Sequence, residues 1–314
     1  MNGIEEPFAV RPAKGQVFSV KVPASSANIG PGFDSLGVAL NLYLELQAEQ
    51  SDEWEVLALT ESLSSFPRDD KNFICQVAIK TAELYKQELP PLKVSVKSDI
   101  PLARGLGSSG AAIIAGVELA NAFCRLGLSR QEKLEMATKM EGHPDNVGAS
   151  LYGGVIVGSQ TGGQVDLTVL NGIDFDPVLV VPKEELLTET SRDVLPSAID
   201  FQRAVQASAV ANQLLAALLT RQWKLAGRMM MADLFHQPYR KALVPFFDEV
   251  QENALQAGAF GVALSGAGPS ILCLTEPGKG ESTATSLKQG LTGMDIHSLK
   301  IDREGSQCKK SGFA

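Results

Sequence analysis

Apolar and polar residues alternate through VFSVKV at 17–22, and again over 40–46, where Leu42, Leu44 and Leu46 share one face and Tyr43 and Glu45 the other. A period of two puts every second side chain on the same side, so both segments are expected to be half-buried strands. LKVSVK at 92–97 repeats the pattern, and WEVLAL at 54–59 adds another strand. Elsewhere the period lengthens. Asn72 is placed to cap a helix running to about Lys86, and AAIIAGVELANAFCRL at 111–126 is an apolar run of helical length closed by Gly127. Ser129 and Glu132 form an S-x-x-E capping box that opens a helix over 130–140. A loop, EGHPDN, then leads through a short helix to the strand GGVIVGS.

The segment PASSANIGPGFDSLG, 23–37, is too rich in Pro, Gly, Ser and Asn to continue either of the strands beside it. Around 171–177, NGIDFDP gathers polar turn residues before a new apolar strand, VLVV, and this sets the expected domain boundary, with one domain over 1–170 and a second over 171–314. Beyond it the pattern predicts helices over 197–220, 222–231 and 239–257. Two apolar strands follow, 261–264 and 270–274, around a Gly-Ala-Gly-Pro turn. Strands and helices in this order predict an α+β class.

Composition narrows the functions. A chain of 314 residues with 44% hydrophobic content can bury one large core or two ordinary ones. The net charge of -8 argues against a nucleic-acid partner, because binding a phosphate backbone calls for a basic excess. Cys75, Cys124, Cys273 and Cys308 show no C-x-x-C spacing, and the first three sit in apolar runs, as free thiols do in a reducing cytoplasm. The N-terminus has no apolar core of signal-peptide length, and no run reaches the ~18 apolar residues of a membrane span, so no membrane partner is expected.

The chemistry gathers at GLGSSG, 105–110. Glycines let backbone N–H groups approach a ligand, and a helix beginning there presents its positive end to an anion. The string matches the dinucleotide fingerprint G-x-G-x-x-G, but the helix after it is followed by the Ser129–Glu132 capping box of another helix rather than by a strand, which weakens a hydride-transfer reading. No Lys follows the glycines, so it is not a Walker A loop either. What remains is a phosphate loop of another kind, with Gly107 bare so that N–H groups can meet phosphates, or a plain turn in which Ser108 or Ser109 caps the helix.

Three glycine-rich stretches, PASSANIGPGFDSLG, PLARGLGSSGAA and LSGAGPS, resemble in their order and separation the signature motifs of the GHMP small-molecule kinases, and the match spans nearly the whole chain. The first motif, with EGHPDN and HQPYR, is similar to the branch that acts on homoserine. The resemblance implies a two-domain GHMP kinase fold: an N-terminal mixed βα domain with a glycine-rich phosphate loop, and a C-terminal ferredoxin-like α/β sandwich. The activity it implies is transfer of the ATP γ-phosphate to the hydroxyl of L-homoserine, giving O-phospho-L-homoserine on the way to threonine. That chemistry asks a protein mainly to position groups and neutralise charge.

Carried over residue by residue, the resemblance makes Pro101, Leu102, Ala103, Arg104, Gly105, Leu106, Gly107, Ser108, Ser109, Gly110 and Ala111 the ATP loop, with Gly110 where the family usually has Ala. It places Mg²⁺ at Ser108 and Glu141. Asn28 and Asp34 hold the amino acid, Asp34 toward the ammonium; Arg192 and Arg240 serve the carboxylate, as fork-shaped cations can; Thr188 and His143 complete the pocket. Asp145 and Asn146 join Ser108 and Glu141 as catalytic candidates, with the identity of any base left open. The third motif, 265–270, is expected to support the phosphate loop, and the assembly is expected to be a homodimer. The rival readings are a kinase for another small alcohol and a non-catalytic sensor of nucleotide or amino acid.

Overall fold

The computed structural model describes residues 15–311. Residues 1–14, on which the reading of the N-terminus rests, fall outside that range. The chain begins with four strands, β1 (Val17–Ala27), β2 (Leu36–Gln50), β3 (Glu55–Ala58) and β4 (Leu92–Ser98); β2 pairs antiparallel with both β1 and β4, and β3 runs parallel to β4 at the edge. In β4 every second residue, Leu92, Val94, Val96 and Ser98, is buried, as the alternation predicts. Helix α1 (Phe73–Leu84) precedes β4 and is capped by Asn72, whose Oδ1 accepts from the Ile74 N–H at 3.1 Å. Helix α2 (Ser108–Phe123) is apolar on nearly every face and lies in the centre of the domain, packed against α1, β1, α3 (Arg130–Glu141) and α4 (Pro144–Tyr152). The expected Ser129–Glu132 capping box opens α3. Strands β5 (Val155–Thr161) and β6 (Gln164–Val169) complete this part of the sheet.

The second sheet is built from β7 (Asp176–Val181), then helices α5 (Thr188–Asp193), α6 (Phe201–Leu219), α7 (Trp223–Met231), α8 (Gln237–Arg240) and α9 (Phe247–Gln256), followed by β8 (Gly261–Leu264), β9 (Ile271–Thr275), α10 (Gly280–Gly290) and β10 (Asp295–Ser298). The strands lie in the order β10-β7-β9-β8, all antiparallel, which is the βαββαβ arrangement of a ferredoxin-like sandwich. VLVV is continuously apolar because both faces of β7 are covered. Val178 and Val180 meet the layer of α9 and α10, while Leu179 and Val181 join a core shared with α6, α7 and the first sheet.

Three expectations are corrected. Strand β1 does not stop at Val22 but runs on through 23–27, with its register shifting between Pro23 and Ala24, so the proline sits at an irregularity where its missing N–H costs no ladder bond. The helix expected over 239–257 is broken: α8 gives way to a single 3₁₀ turn, Lys241–Leu243, and Pro245 interrupts the chain before α9. Four elements were not anticipated, β6, α5, α10 and β10, together with β11 (Gln307–Ser311), which returns to pair antiparallel with β1. The first sheet therefore draws on residues from both sides of 170/171. Among the described residues no helix is long and apolar enough to cross a membrane.

Candidate active site

The phosphate loop joins β4 to α2, and Gly107, at φ +67°, is the N-cap of α2. Having no side chain, it cannot cap the helix, and neither Ser108 nor Ser109 does so, since both already lie in the first turn. The first N–H groups of a helix lack intrahelical partners, so those of 108–110 are left for a partner outside the helix, the position in which an anion is favoured. Gly105, at φ +72°, is bare for a different reason: an added Cβ would lie 2.1 Å from the Ser265 carbonyl oxygen and 2.8 Å from that of Gly268. The third glycine turn packs directly on the loop there, and Ser265 Oγ donates to Gly105 O at 2.7 Å. That support role is the one the resemblance implies. Gly107 corrects its expected role, because the space beside it is taken by Ser25 Oγ at 2.0 Å and Asn146 Oδ1 at 2.9 Å from an added Cβ. Its bareness serves packing inside the protein rather than room for phosphate.

Arg104 lines the same cleft, but its guanidinium is committed to protein groups. Its Nε donates to Pro182 O (3.0 Å), Nη1 to Leu102 O (3.1 Å) and Nη2 to Lys183 O (2.5 Å), and Glu185 lies 3.3 Å from Nη1. The guanidinium ties the loop to the segment that leads into α5, the helix carrying Thr188 and Arg192.

The first motif turns sharply between β1 and β2, with Asn28, Ile29, Gly30 and Asp34 all at positive φ. Asn28 holds the turn: its Oδ1 accepts from the Asp34 N–H and its Nδ2 donates to Gly266 O, each at 3.0 Å. Arg192 Nη2 donates to Asp34 Oδ1 at 2.8 Å and Nη1 to Oδ2 at 3.3 Å, so two residues expected at opposite ends of a ligand are paired with each other. Arg240 is almost fully buried. Its Nε donates to Ser191 O, and Nη1 to Gly266 O and His236 Nδ1, which leaves Nη2 outside these bonds. His236 Nε2 donates to Gly30 O at 2.9 Å and Nδ1 accepts from Arg240, which can only donate, so the ring is neutral; burial pushes its pKa down, in keeping with a neutral ring. Burial, then the neighbouring Arg192, lowers Arg240 to about 10. Phe33 stacks on His236 and lies beneath both guanidiniums, at 5.6 Å from Arg192 and 5.2 Å from Arg240.

Opposite this group, His143 stands at the N-cap position of α4 without a side-chain capping bond, and its Nδ1 lies 2.5 Å from Asp145 Oδ1, which also accepts from the Asn146 N–H at 2.7 Å. Asp145 Oδ2 is buried with no partner. Asn146 Oδ1 accepts from Ser25 Oγ at 2.9 Å, so its Nδ2 is the donor end; one N–H makes a long bond of 3.5 Å to Asp145 Oδ1, and the amide carries a second. Glu141 closes α3, and its Oε2 accepts from Ser109 Oγ at 3.1 Å, not from Ser108. Burial raises the pKa of Glu141, against the lowering effects of His143 and Ser109. A carboxylate so placed gains most from a cation, and with the hydroxyls of Ser108 and Ser109 on the same cleft it offers the one or two oxygens that Mg²⁺ takes from a protein beside phosphates and water. Asp34, His143 and Asp145 also cluster, with ligand atoms within 4.8 Å of one another, but an imidazole nitrogen and a carboxylate already paired with Arg192 suit Mg²⁺ poorly.

Of the expected site residues, Asn28, Asp34, residues 103–109, Glu141, His143, Asp145, Asn146, Thr188, Arg192 and Arg240 line one polar cleft of about 700 Å³, its mouth included. Pro101, Gly110 and Ala111 do not line it, and Gly110 faces Asn146, whose Cβ an added side chain would meet at 3.2 Å. At Ser108 and Ser109 this cleft adjoins a second one of about 1070 Å³, largely apolar, formed by Leu63, Phe66, Phe73, Val96, Ile100 and Leu102 among others. Sequence reasoning missed that second cleft, along with Ser25, Phe33, Ser191 and His236. Phe66 and Phe73, 45% and 50% exposed on either side of a polar loop, were its one trace in the sequence.

The profile of the GHMP kinases N terminal domain matches residues 72–154, and that of the GHMP kinases C terminal domain matches residues 214–292. The homoserine kinase of Bacillus licheniformis is 51% identical over 289 residues, 92% of this chain and 94% of that protein. That of Bacillus velezensis is 48% identical over 295 residues, 94% of this chain and 96% of its own. The crystal structure of homoserine kinase from Cytophaga hutchinsonii superposes with a TM-score of 0.83 at 29% identity, covering 96% of this chain and 99% of the other. Sharing about half its residues with such proteins over nearly its full length, and folding as they do, this chain belongs to the GHMP kinase family and stands within it beside the homoserine kinases.

Proposed function

We propose that the protein transfers the γ-phosphate of ATP to the side-chain hydroxyl of L-homoserine, giving O-phospho-L-homoserine. The observation that carries this reading is the meeting of two unlike clefts at one helix N-terminus. The apolar cleft suits a nucleoside, the first turn of α2 suits its phosphates, and the polar cleft beyond carries charges of both signs for a small zwitterion. Asp34 serves the ammonium, Arg192 and Arg240 the carboxylate, and Thr188 and His143 close the pocket. Mg²⁺ held by Glu141 and Ser108 would neutralise charge on the phosphates. Asn146 Nδ2 orients the acceptor hydroxyl, while Asp145 holds His143 and the Asn146 N–H in place. A loose transition state builds little bonding to the nucleophile, so positioning counts for more than early removal of its proton. Assembly as a homodimer belongs to the same reading and rests on the family resemblance, while a cytoplasmic setting rests on the pattern of free cysteines.

The test is ADP release, with phosphorus NMR of the product, from Mg-ATP and a panel of small alcohols. L-homoserine should be preferred, and Glu141→Gln should lower turnover by about 10²-fold while the fold survives. Phosphorylation of an uncharged alcohol in preference, or ligand binding with no ADP release, would favour one of the rival readings.

A further inference from the structure

The two side chains that face opposite charges of an amino acid here neutralise each other. Asp34 is fixed by its backbone, at φ 54° with its N–H on Asn28 Oδ1. Arg192 reaches it from α5, a six-residue helix whose one buried residue is Ser191. Both side chains are roughly a third exposed, 38% for Arg192 and 35% for Asp34, so water and ligand can reach the pair. Arg240, held at Nε and Nη1 by Ser191 O, Gly266 O and His236, has only Nη2 left to offer a carboxylate, so the two-pronged partner is Arg192.

We propose that the Asp34–Arg192 pair is a resting lock on the acceptor pocket, and that the pocket selects zwitterions by exchanging this one ion pair for two. The inference rests on the assignment of the polar cleft to a hydroxylated amino acid. An ammonium arriving at Asp34 and a carboxylate arriving at Arg192 replace both partners at once, and no charge is left unpaired. A ligand with a carboxylate alone takes Arg192 and strands Asp34; a ligand with an amine alone strands Arg192. Each single-charge ligand therefore binds more weakly by the worth of the pair it opens, and a variant with the lock already open binds it more tightly.

The experiment is a ligand-observed NMR titration, which reads millimolar constants, of the full chain with L-homoserine, 4-hydroxybutanoate and 3-aminopropan-1-ol. Asp34→Asn is a safe variant, since Asn tolerates the left-handed backbone at this position as readily as Asp. It should weaken L-homoserine yet tighten 4-hydroxybutanoate by about fivefold, the factor a partly exposed bidentate pair is worth. Arg192→Met should tighten 3-aminopropan-1-ol by a similar factor. Glu141→Gln removes a negative charge from the same cleft without releasing Arg192, and its effect on 4-hydroxybutanoate should be smaller. Binding of 4-hydroxybutanoate to Asp34→Asn that is unchanged, weaker or undetectable overturns the exchange, as does an equal gain in Glu141→Gln. If wild type neither binds nor phosphorylates L-homoserine while Asp34→Asn still gains 4-hydroxybutanoate, the substrate assignment fails and the lock stands.

Discussion

Gly107→Ala is the smallest change that separates a glycine kept for phosphate from a glycine kept for packing. The new Cβ would stand 2.0 Å from Ser25 Oγ and 2.9 Å from Asn146 Oδ1, far inside contact distance, at a backbone φ of +67°. Placing alanine in the left-handed region costs about 1–2 kcal/mol. The serine hydroxyl must swing away, which breaks its 2.9 Å bond to Asn146 and strands a buried acceptor at about 1–3 kcal/mol. The expected loss is about 2–5 kcal/mol, a large share of a total near 5–15 kcal/mol. Turnover should fall as well, because Asn146 loses the bond that fixes its amide. Ser25→Ala removes the clashing atom, so the double variant should cost less than the two single variants together, by about 1–2 kcal/mol. Rescue is partial, since the backbone cost, Asn146 Oδ1 at 2.9 Å and the Ser25 carbonyl at 3.2 Å from the added Cβ remain. Urea unfolding gives the stabilities and ADP release the turnover. A Gly107→Ala protein of unchanged stability that has lost only Mg-ATP binding would refute the argument, and so would strict additivity with Ser25→Ala.

Arg104→Met should raise KM for L-homoserine by about 5–30-fold, from roughly 1–2 kcal/mol of lost hydrogen bonding to the α5 segment, while ATP affinity changes little; a selective loss of ATP affinity would instead place the guanidinium on phosphate. For His143, burial pushes the pKa down, but the hydrogen bond and charge of Asp145, with Asp34 and Glu141 nearby, outweigh it and raise the value above 6.5. The folded state then holds the proton more tightly than the unfolded chain, so this stabilisation is full below about 6.5 and is lost as pH rises through the raised value. The stability difference between wild type and His143→Gln should accordingly shrink with rising pH; a difference that grows would show the sign to be wrong.

The sequence by itself determined what depends on neighbours along the chain. The alternation of LKVSVK made β4, Asn72 capped α1, Ser129 and Glu132 opened α3, and GLGSSG set a glycine turn at the start of α2, because each signal acts within a few residues. The glycine motifs also carried the family, and with it most of the residues on the polar cleft. Tertiary structure decided where side chains point. The serines of 23–27 read as loop because their hydroxyls are polar, yet they sit in a buried strand, where Ser25 bonds Asn146 and Ser26 bonds Ser265, more than a hundred residues away. Arg104 was carried over only as part of the loop 101–111, and nothing along the chain marks the carbonyls of Pro182 and Lys183 as the partners of its guanidinium. Arg192 and Asp34 were assigned to separate ends of a ligand, and only the approach of α5 to the first motif let them meet. The apolar cleft and the return of β11 to β1 have the same origin. Periodicity fixes which face of an element is buried, but a hydrogen bond or an ion pair goes to whichever partner the fold brings within about 3 Å, and that partner has no fixed spacing in the chain.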